Sequence, residues 1–143
     1  MSGLAALLAG RVPCEVVRWS SSYDAREVAH VVTHAGWAFS HLDGWTLGEA
    51  KADVLAGLGT ALEFPQTFGR NLDALADSLR DVDDEPGRLL LWDGWSVLAR
   101  SEPRTFSVVL DILSERAGAH DATSFAVLLR GEGPEIPGIG ELD

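Results

Sequence analysis

The residues best suited to chemistry are two aspartates, Asp73 and Asp77, which stand four positions apart in a segment with helical periodicity. That spacing places both carboxylates on the same face of a helix. Three interpretations fit such a pair: a solvated surface, an anionic pair that meets a cationic pocket on another molecule, or an acid–base dyad. A dyad additionally needs one carboxyl group to be desolvated. The residue types alone leave these interpretations open.

Other sequence motifs that indicate catalysis, nucleotide binding or metal binding are missing or weak. The sequence has no P-loop, no glycine-rich dinucleotide turn and no G-x-S-x-G elbow. His30 and His34 are spaced to share a metal, but no cysteine or acidic residue stands at the usual ligand spacing, and surface histidines are the alternative. Cys14 is the only cysteine, which excludes an internal disulfide and fits a reducing compartment. Beyond the open question of the two aspartates, we expect no catalytic residue, and we expect no metal and no cofactor.

Composition excludes several classes of protein. The 143 residues include 22 acidic and 11 basic side chains, a formal net charge of −11, and this charge disfavours nucleic acid as a ligand. No apolar run approaches the ~18–20 residues that cross a bilayer, and the first residues lack the basic start of a signal peptide. The length indicates one domain over residues 1–143. We expect a cytoplasmic protein with no membrane contact and a basic partner.

The acidic residues are concentrated in one part of the chain. Residues 43–85 hold ten acidic and three basic side chains, a net charge of −7, and this stretch includes Asp73 and Asp77. Solubility alone would account for a negative surface. The same charge would also accelerate encounter with a basic protein.

The pattern of apolar residues predicts alternating strands and helices. The predicted strands are 14–19, 37–42, 88–92 and 124–129, and the predicted helices are 24–35, 46–62, 71–80, 96–99 and 102–117. Residues 4–9 form a short helix or a frayed end. The serines at 20–22 and a Thr46–Glu49 capping box are the expected helix starts, and Gly69 is the expected turn residue. This order predicts an α/β domain with a small, largely parallel sheet flanked by helices.

The segment around the two aspartates resembles a known family. Residues 64–79 read Phe-Pro-Gln-Thr-Phe-Gly-Arg-Asn-Leu-Asp-Ala-Leu-Ala-Asp-Ser-Leu, which is similar to the signature of barstar, the intracellular inhibitor of a secreted bacterial ribonuclease. The resemblance covers about two-thirds of the chain and implies a barstar-like core over residues 37–130. Residues 12–36 would then be an additional β-α element whose strand extends the sheet, and residues 131–143 a Gly/Pro-rich tail.

The resemblance implies a function and a set of contact residues. A barstar-like protein plugs the active site of its ribonuclease with an acidic helix and the preceding loop, and its carboxylates take the place of substrate phosphate. Asp77 matches the family's central aspartate, Asp73 the second acidic contact, and Glu115 an outlying contact from the last helix. The implied partner-binding residues are Thr67, Phe68, Gly69, Arg70, Asn71, Asp73, Ala76, Asp77, Arg80 and Glu115. Such a protein is not an enzyme.

Three of these positions depart from the family pattern. Thr67 stands where the family often has a second aromatic residue, Arg70 where barstar has an acid, and Ala76 where it has a tryptophan. These departures favour a partner surface that differs from barstar's own, such as another small guanyl-specific ribonuclease. The alternative is a binding module of the same fold for a different basic protein.

Overall fold

The computed structural model describes residues 2–143 and contains seven helices and five strands. The helices are α1 (Ser2–Leu8), α2 (Ala25–His34), α3 (Gly44–Leu47), α4 (Lys51–Ala61), α5 (Leu72–Arg80), α6 (Ser96–Ser101) and α7 (Pro103–Ala117). The strands are β1 (Val16–Trp19), β2 (Ala38–Asp43), β3 (Gly87–Asp93), β4 (Ser124–Arg130) and β5 (Glu141–Leu142). The predicted α/β class is confirmed.

All five strands belong to one parallel sheet with the order β2-β3-β4-β1-β5. Val127 in the middle of β4 lies opposite Leu90 of β3 on one side and Val16 of β1 on the other. The central strands β3 and β4 are almost continuously apolar because both of their faces are covered, as is usual for parallel sheets. The predicted extension of the sheet by the strand near residue 16 is confirmed.

Helices cover both faces of the sheet, so the fold has three layers. The first face packs on α3 to α7 through apolar strand residues that include Leu90, Trp92 and Val127. The second face packs on α1 and α2, whose buried residues are Leu4, Leu7, Val28 and Val32. The strand side chains beneath those two helices are Val17, Trp19, Leu89, Leu91, Ala126 and Leu128. Residues 2–36 therefore supply one entire layer and one inner strand.

Two expected helix starts are wrong. The Thr46–Glu49 pattern does not begin a helix, because Gly48 adopts a φ of +102° and separates α3 from α4. Asp43 caps α3 instead, and its Oδ1 accepts the Trp45 N–H at 3.0 Å. The serines at 20–22 do not cap α2 either.

The cap of α2 is Asp24, which forms a reciprocal capping box. Its Oδ1 accepts the Glu27 N–H at 2.8 Å, and Glu27 Oε1 accepts the Asp24 N–H at 3.1 Å. The expected tail also contains structure. Residues Glu141 and Leu142 form β5 beside β1, and Ile136 and Ile139 pack against the first core.

An ion-pair cluster closes the carboxyl end of the sheet. Asp93 accepts hydrogen bonds from Arg130 Nε at 2.6 Å and Arg130 Nη2 at 3.0 Å, and it lies 2.8 Å from His41 Nε2. Burial alone would raise the pKa of Asp93, but the hydrogen bonds with His41 and Arg130 and the Arg130 charge outweigh it and lower the pKa to about 2. The cluster thus links β2, β3 and β4, and protonation of Asp93 at low pH would weaken it.

We expect Asp93→Asn to lower stability by about 2 kcal/mol at neutral pH, because a lowered carboxyl pKa stabilises the fold above the unfolded-state value. This contribution is present above pH ~4 and is lost as the pH falls toward 2. Urea unfolding of both proteins between pH 2 and 7 measures it. A difference in unfolding free energy that stays constant over this range would contradict the prediction.

Candidate partner-binding surface

The acidic helix α5 is defined by a cap and two buried leucines. Asn71 is its N-cap, and Asn71 Oδ1 accepts the Ala74 N–H at 2.8 Å. Leu75 and Leu79 are fully buried and fix which side of the helix faces the core. Asp73 and Asp77 are both exposed, one turn apart. The helix therefore presents two carboxylates to solvent on a buried hydrophobic support.

The two aspartates differ in their surroundings. Asp77 forms an ion pair with Arg80, and these side chains are 72% and 71% exposed. Asp73 makes no ion pair or side-chain hydrogen bond within residues 2–143. An exposed pair of this kind contributes ~0–1 kcal/mol, so Arg80 restrains Asp77 only weakly.

Two phenylalanines hold the loop before α5. Phe64 and Phe68 contact each other with ring centroids 5.0 Å apart. Phe68 packs on Gly59 of α4, where a Cβ would lie only 2.8 Å from Phe68 Cδ2. Both rings are partly buried against the first core, whereas Thr67 between them in sequence is exposed. The loop is consequently anchored, and its tip faces solvent.

The turn before α5 occurs at a different residue from the one expected. Gly69 does not have a positive φ, and the left-handed residue is Arg70, with a φ of +50°. This conformation is uncommon for a residue with a side chain. Gly69 contributes by its small size instead, because a Cβ there would lie 3.1 Å from Asn71 Nδ2.

A second left-handed residue ends α4. Glu63 has a φ of +60°, the Phe64 N–H bonds the Gly59 carbonyl at 2.9 Å, and the Glu63 N–H bonds the Thr60 carbonyl at 3.2 Å. This is the Schellman arrangement, in which glycine usually occupies the position of Glu63. The Glu63 carboxylate is used here, since it accepts a hydrogen bond from Arg88 Nη2 at 2.9 Å.

Arg88 ties together the two segments that flank α5. Its buried guanidinium binds Glu63 before the helix and Asp84 after it, with Arg88 Nε 2.6 Å from Asp84 Oδ2. Arg88 Nη1 also donates to Ser40 Oγ at 2.7 Å. The hydrogen bond from Arg88 is the largest cause of a lowered pKa at Asp84. Arg88 therefore connects the segments before and after α5 to β2 and β3.

Arg116, on α7, connects the end of α5 to the rest of the fold. It is 5% exposed and donates to the carbonyls of Leu79 at 2.9 Å, Val82 at 2.8 Å and Thr123 at 2.9 Å. Burial lowers the pKa of Arg116, but guanidinium remains charged in proteins. The carbonyls at the end of α5 carry the negative end of the helix dipole, which stabilises that charge. Local sequence patterns indicate no such role for Arg88 or Arg116.

Arg116→Ala is expected to destabilise the fold by about 3 kcal/mol, because three carbonyls lose a donor and buried unpaired groups cost ~1–3 kcal/mol each. Urea unfolding measures the change. Arg104→Ala removes an exposed arginine from the same helix and serves as the control. Equal unfolding midpoints for the two variants would contradict the role assigned to Arg116.

A groove of about 330 Å³ separates α5 from α7. Three of the residues predicted to bind a partner line it: Ala76, Arg80 and Glu115. Its other lining residues are Leu79, Ile112, Arg116, Ala119 and Asp121. The predicted residues from Thr67 to Asp73 do not line this groove.

The predicted residues therefore lie in the loop with the first turn of α5, at the exposed Asp77, and in the α5–α7 groove. Their chemistry is the display of exposed carboxylates beside a groove that has both apolar and charged lining residues. Within residues 2–143, no three His, Cys, Asp or Glu side chains are grouped so that they could hold a metal ion. Over the same residues, no helix has the length and apolar character needed to cross a membrane.

Comparison with known proteins identifies the family. The family model described as Barstar (barnase inhibitor) matches residues 37–130. The chain belongs to the barstar family. The matched region contains β2 to β4 and α3 to α7, hence both arginine anchors, Arg88 and Arg116, and every residue predicted to bind a partner. Proteins of the barstar family are inhibitors rather than enzymes, and this membership implies a barnase-inhibitor-like role.

The comparisons with curated proteins and with solved structures add information on the fold only. No curated protein matches this barstar-family chain in sequence. A chain in the solved structure of Drosophila ORC bound to AT-rich DNA and Cdc6 matches with a TM-score of 0.53 and 10% sequence identity. The match covers 90% of this chain and 43% of that chain, so our chain spans less than half of that neighbour. At this identity the likeness concerns the arrangement of helices and strands alone.

Proposed function

We propose that this barstar-family protein inhibits a small secreted ribonuclease of the guanyl-specific type by plugging its active site with α5 and the preceding loop. The observation that carries the proposal is the exposed Asp73–Asp77 pair on a helix whose last turn binds Arg116 and whose flanking segments are joined by Arg88. A ribonuclease binds a polyanion, so carboxylates on an ordered helix can bind the cationic side chains that otherwise hold phosphate. No chemical step is required of the inhibitor.

Preorganisation supports this mechanism. Binding costs less free energy when the contact surface is already ordered, and α5 is capped by Asn71 and its loop is anchored by Phe68. The net charge of −7 over residues 43–85 adds long-range attraction toward a basic enzyme. The rate of association should consequently fall as ionic strength rises.

The departures from the barstar pattern bear on the choice of enzyme. Ala76 leaves the α5–α7 groove open where a tryptophan would project, and Arg70 adds a positive charge to the loop. Both features favour an enzyme whose surface differs from that of barstar's own partner. A different basic protein bound by the same surface is the second candidate.

Arg80→Ala is expected to strengthen binding about two- to fivefold, because Arg80 competes with the partner's cationic groups for Asp77 and an exposed pair is worth ~0–1 kcal/mol. Calorimetric titration with an inhibited ribonuclease measures the effect. Weaker binding by Arg80→Ala would show instead that Arg80 contributes a favourable contact with the enzyme.

The proposal is tested by assaying RNA cleavage by a panel of small secreted ribonucleases in the presence of the protein. One-to-one inhibition of at least one guanyl-specific enzyme is expected. A pull-down from secreted proteins, with Asp77→Ala as the comparison, identifies the partner independently. Failure to inhibit any enzyme at micromolar concentration, together with capture of another basic protein, would favour the second candidate.

A further inference from the structure

The strand β2 lies at the rim of the sheet and has a neighbour on one side only. It pairs with β3 without interruption, from Ala38 opposite Arg88 to Asp43 opposite Asp93. Within residues 2–143, residues 38–42 make no backbone–backbone hydrogen bond outside this ladder. Alternate residues of an edge strand direct N–H and C=O groups away from the neighbour, so β2 offers unused hydrogen-bonding groups along its outer side.

This edge lacks most of the features that usually protect one, and its one acidic residue, Asp43, lies at the end of the strand. Natural edge strands are interrupted by proline, lysine or a bulge, or are kept very short. The six residues of β2 include no proline and no lysine, and their register contains no bulge. The opposite edge strand, β5, has only two residues. The helices α2 and α4 belong to the layers on the two faces of the sheet, and within residues 2–143 no strand pairs with the outer side of β2.

A groove of about 440 Å³ runs beside this edge, between β2 and α4. Its lining residues are His41, Leu42, Asp43, Thr46, Leu47, Asp53, Ala56, Gly57, Thr60 and Ala61. The helix side of the groove is formed mainly by the small residues Ala56, Gly57, Thr60 and Ala61, which leave the void beside β2 open. A strand added beside β2 would therefore find space for every second side chain over α4, the arrangement of peptide recognition by strand addition.

The charge of the groove determines which occupant fits. Its carboxylates belong to Asp43 and Asp53, and its one basic side chain, His41, lies 2.8 Å from Asp93. We propose that the outer side of β2 binds an extended basic segment of a partner protein as a sixth strand, with its cationic side chains facing Asp43 and Asp53. A second copy of this chain is disfavoured, because each copy carries a net charge of −11. This surface shares no residue with the proposed ribonuclease-binding surface.

The probe for this proposal is a terminally blocked peptide of alternating valine and arginine, compared with one of alternating valine and glutamate. Titration of the whole protein followed by fluorescence anisotropy measures binding, and amide hydrogen exchange locates it. We expect the arginine peptide alone to bind and to slow exchange of amides in β2. Protection confined to α5, or no binding of the arginine peptide, would overturn the proposal.

Two exposed hydroxyl positions provide a matched pair of variants, Thr60→Lys in the groove and Ser107→Lys on α7. Thr60→Lys fills the groove and adds a positive charge that repels the arginine peptide, so this variant should bind the peptide at least about tenfold more weakly. Ser107→Lys should change the affinity for the peptide less than about twofold. Equal weakening by both variants would show nonspecific attraction to the acidic surface and overturn the proposal. If the protein formed a dimer whose β2 amides were protected from exchange in the absence of peptide, a second copy of the chain would be the occupant and the proposal would be wrong.

Discussion

Asp77→Ala is expected to weaken binding to the inhibited ribonuclease by at least about 2 kcal/mol, or about thirtyfold in Kd. Asp77 lies on α5 with its carboxylate exposed, next to the groove lined by Ala76 and Glu115. In the complex this carboxylate would be surrounded by cationic side chains that otherwise bind phosphate. Removing it would leave those charges buried without a partner, which is why the loss should greatly exceed the value of an exposed ion pair. The family resemblance matches Asp77 to an aspartate of barstar that is an interface hot spot, and the expected size of the effect rests on that match.

The matched control is Asp83→Ala, which removes the same charge from an exposed position in the loop after α5. Stopped-flow association and dissociation kinetics at two salt concentrations separate the two effects. Asp83→Ala should reduce only the salt-dependent rate of association, whereas Asp77→Ala should mainly accelerate dissociation. If the two variants lost the same affinity, the acidic surface would act through its overall charge and the plug mechanism would be wrong.

The elements around the candidate surface were predictable because their signals are local. Asn71 followed by leucines at 72, 75 and 79 indicates a capped amphipathic helix, and the apolar run before Trp92 indicates a buried strand. The Thr46–Glu49 pattern failed although it has the right residue types. A capping box requires continuous helical backbone after the cap, and Gly48 interrupts it.

The residues that hold the surface in place could not be predicted from local patterns. Arg116 binds the Leu79 and Val82 carbonyls, 37 and 34 positions away in sequence. The one available signal was its position on the buried stripe of α7, three residues after Leu113, where a charged side chain needs compensation. The pairing of Glu141 and Leu142 with β1 is also nonlocal, and a Gly/Pro-rich sequence does not indicate it.

Deletion of residues 1–36 is expected to abolish cooperative folding of the remainder. The family model begins at residue 37, but in this chain the second face of the sheet is apolar and is covered by α1 and α2. The deletion would expose Leu89, Leu91, Ala126 and Leu128, and it would remove β1 from between β4 and β5. Uncovering such side chains costs about 5–10 kcal/mol, which is comparable to the ~5–15 kcal/mol stability of a whole domain.

A graded series of variants tests whether residues 1–36 are a structural layer or a dispensable addition. Leu7→Ala removes one buried contact of α1 and should cost about 2–5 kcal/mol while preserving the fold. The fragment 37–143 should show no cooperative urea transition and poor dispersion of amide NMR signals. A well-folded fragment 37–143 that still inhibits the ribonuclease would contradict the prediction. Because α5 rests on the first face of the same sheet, loss of the second layer should abolish inhibition through unfolding, without any change in the contact residues themselves.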